Sequence, residues 1–170
     1  MLIFGDKLFP LTSTALQTQV EHLLSEDRSV REQLQAICEL LQKEVAHYDW
    51  VGFYFADARQ RKLFLKAFAG KPTDHTEIPF GKGICGQVAE SNQNFVVPDV
   101  QAQDNYISCS IDVKSEIVIP IFVDGENIGQ IDIDSNTLDP FRTEDEQLLE
   151  HVCALVATQL KNTNTNPLEL

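Results

Sequence analysis

The stretch from Ser115 to Asp134 constrains the fold more than any other part of the chain. Ser115 to Val123 is a long apolar run that reads as a strand. Asp124-Gly125-Glu126-Asn127 follows as a turn, and Ile128 to Asp134 returns as a partner strand. The returning strand alternates, with Ile131 and Ile133 on one face and Asp132 and Asp134 on the other. Carboxylates are depleted in strands, so the acidic face is either solvated or a paired acidic site. Two close carboxylates raise one pKa, which gives a proton donor and an acceptor near neutral pH. Glu116, just before the apolar run 117–123, is a third candidate of the same kind.

Helical patterns flank this pair. Leu16, Val20, Leu23 and Leu24 recur at helical spacing after the possible caps Thr12 and Ser13. Ser29-Val30-Arg31-Glu32 has the capping-box pattern, and Leu34, Ile37, Cys38, Leu41 and Val45 continue one apolar stripe. Thr143-Glu144-Asp145-Glu146 reads as a second capping box, opening a helix with Leu148, Leu149, Val152, Leu155, Val156 and Leu160 inward. Between the helices, Trp50 to Phe55 is aromatic and β-branched, and Lys62 to Ala69 alternates after a turn at 57–61, which predicts a hairpin. Residues 70–86 form a loop containing Gly70, Gly81, Gly83 and Gly86. Ile84 to Ser91 reads as a short helix, Phe95-Val96-Val97 as a short strand, and 99–110 as irregular. Short turns between neighbouring strands favour an antiparallel sheet. With helices at both ends, the expected class is an α+β sandwich. Residues 1–28 read as a helical extension, 29–160 as the domain, and 161–170, polar and containing Pro167, as a flexible tail.

A chain of 170 residues can bury one core without disulfide staples. Its 26 acidic residues against 13 basic ones leave a net charge of −13, which disfavours nucleic acid and anionic membrane surfaces. No apolar run is long enough for a transmembrane helix, and the first residues do not resemble a signal peptide. The expected compartment is the cytoplasm, where thiols stay reduced.

The four cysteines divide by setting. Cys38 and Cys153 sit on helix stripes and read as small buried hydrophobes. Cys85, in Gly83-Ile84-Cys85-Gly86, and Cys109, in Ile107-Ser108-Cys109-Ser110, lie outside any long amphipathic helix and are candidates for chemistry. Neither their spacing nor that of the four histidines matches a metal pattern, so no metal is expected. Trp50 and Tyr54 share a strand face, either in the core or as an aromatic wall against a thioether or cation. The loop glycines match neither dinucleotide nor P-loop patterns.

Taken in order, these segments resemble one family. They are Asp49-Trp50-Val51-Gly52-Phe53-Tyr54, Ile78-Pro79-Phe80-Gly81-Lys82-Gly83-Ile84-Cys85-Gly86, Pro98-Asp99-Val100, Cys109, Ser115-Glu116-Ile117-Val118-Ile119-Pro120 and Gly129-Gln130-Ile131-Asp132-Ile133-Asp134-Ser135. Together they resemble the GAF-domain free methionine-(R)-sulfoxide reductases. Phe141-Arg142-Thr143-Glu144-Asp145-Glu146 resembles a mark of GAF domains generally. The resemblance implies a GAF-like fold over 29–160, with about six antiparallel strands and the N- and C-terminal helices packed on one face. It implies free methionine sulfoxide as substrate, no bound cofactor, thioredoxin or another thiol as reductant, and a homodimer. Cys109 matches the nucleophile. Glu116, Asp132 and Asp134 match acids that polarise the sulfoxide oxygen and bind the substrate ammonium. Trp50 and Tyr54 match the pocket wall.

Three features depart from the family pattern. His75 stands where the usual resolving cysteine would be, Ser110 follows the nucleophile in place of Asp, and Tyr106-Ile107-Ser108-Cys109 replaces His-Ile-Ala-Cys. Cys85 or an external thiol then becomes the expected resolving group, and His75 a group that lowers a nearby thiol's pKa. A catalytically altered GAF small-molecule sensor and a redox switch remain open as alternatives.

Overall fold

The computed structural model describes residues 2–4, 7–9, 11–107 and 110–170. Cys109, the expected nucleophile, lies outside the described residues, as does Ser108. The chain opens with two short antiparallel strands, β1 (Leu2–Phe4) and β2 (Lys7–Phe9), so residues 1–28 are not purely helical as expected. Runs of three apolar-rich residues are too short to show a strand period, and only the pairing reveals them.

Helix α1 (Ser13–Ser25) begins where Thr12 Oγ1 accepts the Ala15 N–H. Helix α2 (Val30–Glu44) carries the expected capping box, in which Glu32 accepts the Ser29 N–H and Ser29 Oγ accepts the Glu32 N–H. The six-stranded sheet is built from β3 (Trp50–Asp57), β4 (Lys62–Ala69), β5 (Glu77–Pro79), β6 (Phe95–Val97), β7 (Ser115–Val123) and β8 (Glu126–Ser135). Its order is β5-β4-β3-β8-β7-β6, and every neighbouring pair is antiparallel. Strand β5 lies within the segment 70–86 expected to be a loop. It is a three-residue edge strand ending at Pro79, where proline is tolerated. The β7–β8 turn is tighter than the four residues expected. Asp124 and Gly125 alone make it, both at positive φ, as a two-residue hairpin favours.

The sheet separates two apolar layers. On one side, Val51, Phe53 and Phe55 of β3 join Ile117, Ile119 and Ile121 of β7 and Ile131 and Ile133 of β8. They pack under α1, α2 and the C-terminal helix α4 (Thr143–Asn162). On the other side, Trp50, Tyr54 and Val118 meet α3 (Gly83–Ser91) and the connections around it. Buried Gln33 ties the helical layer together. Its amide donates to Leu24 O and Glu26 O and accepts from Gln159 Nε2.

Two terminal details differ from expectation. The residue capping α4 is Arg142, and Asp145 accepts its N–H at 2.8 Å, so the box is shifted one residue from the 143–146 pattern. The aromatic Phe141 and the His47–Asp145 and Tyr48–Asp145 bonds hold this turn in place. The segment 161–170, expected as a flexible tail, is docked. Asn164 reverses the chain at positive φ, Pro167–Glu169 form a 3-10 turn, and Leu168 and Leu170 pack on the core. Lys66 Nζ donates to the carbonyls of Leu168 and Leu170 at 2.7 and 3.2 Å. Polar composition hid two apolar anchors that need a partner outside the segment. Deleting residues 167–170 should therefore lower the unfolding free energy by about 1–3 kcal/mol in urea denaturation. An unchanged midpoint would contradict the docking.

Candidate active site

Strand alternation assembles the acidic face. Across the sheet, Glu116 of β7 pairs with Asp134 of β8, and Asp134 pairs with Trp50 of β3. One step along, Val118, Asp132 and Gly52 form the next row, and Pro120, Gln130 and Tyr54 the third. All these side chains share the face opposite the helical core. The isoleucines between them bury the other face, so the acids cannot turn away without exposing Ile131 and Ile133.

The acids are not solvated. Glu116, Asp132 and Asp134 are only 5%, 1% and 2% exposed. Asp132 Oδ1 and both carboxylate oxygens of Asp134 have no hydrogen-bond partner among the described residues. No lysine or arginine among the described residues forms an ion pair with any of the three. Burial, then the charges of Asp132 and Asp134, holds the Glu116 carboxyl well above the usual carboxylate range. Burial raises Asp132 to about 6, against hydrogen bonds to Cys85 and Glu116 that lower it. Burial, then the charges of Asp132 and Asp49, also holds Asp134 well above the usual range. Glu116 and Asp132 share a hydrogen bond that raises the first and lowers the second. A hydrogen-bonded carboxyl pair of this kind can offer a proton donor beside an acceptor.

The other residues border this face. Helix α3 lowers Cys85 onto it, with Sγ 3.8 Å from Glu116 Oε1. A Cβ on Gly86 would collide with the Pro79 carbonyl, so glycine allows α3 to seat this closely. Trp50 stacks on Phe68 at 5.8 Å between ring centres, and its Nε1 donates to Lys71 O. Tyr54 OH donates to His75 O at 2.8 Å. The two aromatic residues therefore pin the 70–76 connection as well as walling the face.

Two cavities open on it. A cavity of about 400 Å³ is bordered by Trp50, Asp49, Lys71, Ser110, Asp134 and Asn136, a volume within the range of small-molecule sites. A second void, of only about 10 Å³, lies among His75, Ile84, Cys85, Ile107, Glu116 and Asp132. Ile107 and Ser110 thus bring the chain to both cavities.

The structure brings Cys85, Glu116, Asp132, Asp134, Trp50 and Tyr54 to one face. Two further residues escaped the sequence reading. Gln130 is fully buried with both amide atoms unpartnered among the described residues, and its signal was the same two-residue alternation that links Asp132 to Asp134. Asn105 bridges α3 to the segment before the described gap, accepting the Gly83 N–H and donating to Gly81 O. Nothing in the irregular 99–110 stretch marked it.

Comparison with known proteins gives a consistent picture. The GAF domain family model matches residues 29–160. A free methionine-R-sulfoxide reductase from Escherichia coli is 36% identical over 125 residues, 74% of this chain and 74% of that protein. GAF domain-containing protein A from Dictyostelium discoideum is 36% identical over 141 residues, 83% of this chain and 87% of that protein. A free methionine-R-sulfoxide reductase from Neisseria meningitidis, solved with its substrate, superposes with a TM-score of 0.85 at 31% identity, covering 96% of this chain and 97% of that one.

Two outcomes follow from the geometry. The folded state holds the acid protons more tightly than the unfolded chain does. The contribution of these acids to stability is thus greatest below the ordinary carboxyl range and falls as pH rises through the folded values. For Asp132 the window runs from 3.8 to about 6. Asp132→Asn should flatten that fall and raise the unfolding free energy at pH 7 by about 1–3 kcal/mol in urea titrations. A lower stability at pH 7 would contradict the burial cost. Gly52→Ala would place its Cβ inside the Trp50 indole. Because Trp50 is the one tryptophan, its fluorescence should shift to the red as the ring is displaced, with about 1–3 kcal/mol lost. An unshifted spectrum would argue against the close contact.

Proposed function

The chain belongs to the family of GAF-domain free methionine-R-sulfoxide reductases, and we propose that it reduces free L-methionine-(R)-sulfoxide with Cys109 as the nucleophile. The observation that carries this reading is the buried acid face of Glu116, Asp132 and Asp134, paired by no lysine or arginine among the described residues, beside the aromatic wall. An amino-acid ammonium supplies the missing positive charge against Asp134, which borders the larger cavity. The thioether end lies against Trp50 and Tyr54, which suit a polarisable sulfur.

In the first step the Cys109 thiolate attacks the sulfoxide sulfur. Glu116 delivers its proton to the sulfoxide oxygen, which has to leave that sulfur. The oxygen passes to Cys109 as a sulfenic acid and methionine departs as the thioether. The sulfoxide has gained two electrons, and Cys109 has lost them. In the second step another thiol attacks the sulfenic sulfur, water leaves, and a disulfide forms. Cys85 is our candidate for that thiol, supported by its position against Glu116. With His75 at the usual resolving position, an external thiol is the alternative. Thioredoxin, acting in the cytoplasm, is the proposed final reductant.

Turnover of free L-methionine-(R)-sulfoxide with dithiothreitol or thioredoxin tests the proposal. Activity should vanish in Cys109→Ser, and kcat should drop about a hundredfold or more in Glu116→Gln. Equal rates with the two reductants, both lost in Cys85→Ser, would assign the resolving role to Cys85. Ligand binding without consumption under either reductant would instead identify a sensor.

A further inference from the structure

The acid face also gathers a mixed set of donor atoms. Cys85 Sγ on α3, a carboxylate oxygen of Glu116 on β7 and one of Asp132 on β8 all lie within 4.8 Å of one another. A tetrahedral zinc-class ion, with bonds of about 2.3 Å to sulfur and 2.0–2.2 Å to oxygen, needs sulfur–oxygen edges of about 3.5 Å. The Cys85 Sγ to Glu116 Oε1 separation is 3.8 Å, so that edge is nearly formed. Ligands so far apart in sequence leave no linear spacing pattern, and so none was visible in the chain.

A second observation points to a ligand here. Asp132 is 1% exposed, its Oδ1 has no hydrogen-bond partner among the described residues, and the residue borders the small void together with Cys85 and Glu116. An unpaired buried carboxylate oxygen is costly unless something fills the space it faces. The void, of about 10 Å³, is close to the room one water-sized ligand needs.

The geometry points to a binding site for a divalent transition-metal ion of the zinc class, held by Cys85 Sγ, Glu116 and Asp132 with water in the fourth position. The thiolate selects against magnesium and calcium, which prefer all-oxygen ligands. Binding releases the Cys85 thiol proton and the proton shared by Glu116 and Asp132. The metal site uses residues read above as part of the reductase machinery, but its existence requires none of that chemistry.

Co²⁺ titration of the reduced, metal-free protein tests the site without measuring turnover. An intense thiolate-to-cobalt charge-transfer band in the near ultraviolet should appear, with the visible bands of tetrahedral cobalt. The band should persist in Cys109→Ser and disappear in Cys85→Ser. Glu116→Gln and Asp132→Asn should each weaken Co²⁺ binding by about tenfold or more, with folding checked by circular dichroism. No band in the unmodified protein overturns the proposal, and so does a band that follows Cys109 in place of Cys85. If Cys85→Ser does not fold, the carboxylate variants decide, and undiminished affinity in both overturns it.

Discussion

Three carboxyl groups buried without a cationic partner among the described residues are expensive, and the remainder of the molecule is organised around making that burial possible. The compensation lies on the other side of the same strands. Ile117, Ile119 and Ile121 of β7 and Ile131 and Ile133 of β8 are fully or almost fully buried beneath three helices. Their removal from water favours this register strongly. A one-residue slip would place isoleucines on the acid face and acids in the helical core, so hydrophobic burial fixes the orientation of the acids.

The surroundings of the acid face are held just as firmly. Trp50 and Tyr54 anchor the 70–76 connection through its carbonyls, and Asn105 ties α3 to the approaching 98–107 segment. These bonds limit how far the walls can move, while Asp134 and Gln130 keep polar atoms without partners among the described residues. Unsatisfied polar groups inside a rigid frame are typical of a surface shaped for a ligand, at the expense of stability in the free protein.

Much of the architecture was legible because it rests on local rules. The Ser29–Glu32 capping box, the β3–β4 hairpin and the β7–β8 pair follow from side-chain hydrogen bonding and from the strand period. Apart from the β1–β2 pair and the tight β7–β8 turn, the misreadings involve partners distant in sequence. Strand β5 is recognisable only through its pairing with β4. The 161–170 segment looks polar until Lys66 and the core receive its end. At α4, His47, Tyr48 and Phe141 hold the turn in which Asp145 accepts the Arg142 N–H, and no pattern within 143–146 contains them.

The sequence by itself determined that Asp132 and Asp134 share one face of their strand, and that Trp50 and Tyr54 share one face of theirs, since alternation is a property of the extended backbone. It also separated Cys38 and Cys153, on helix stripes, from Cys85. Only the tertiary structure decided that the acidic face is buried and not solvated, that it lies against Trp50 and Tyr54, that Glu116 stands opposite Asp134, and that Cys85 descends onto Glu116 and Asp132. The reason is physical. Burial and proton affinity depend on what other segments exclude water from a face, and a strand's own residues carry no record of the helix that will cover it.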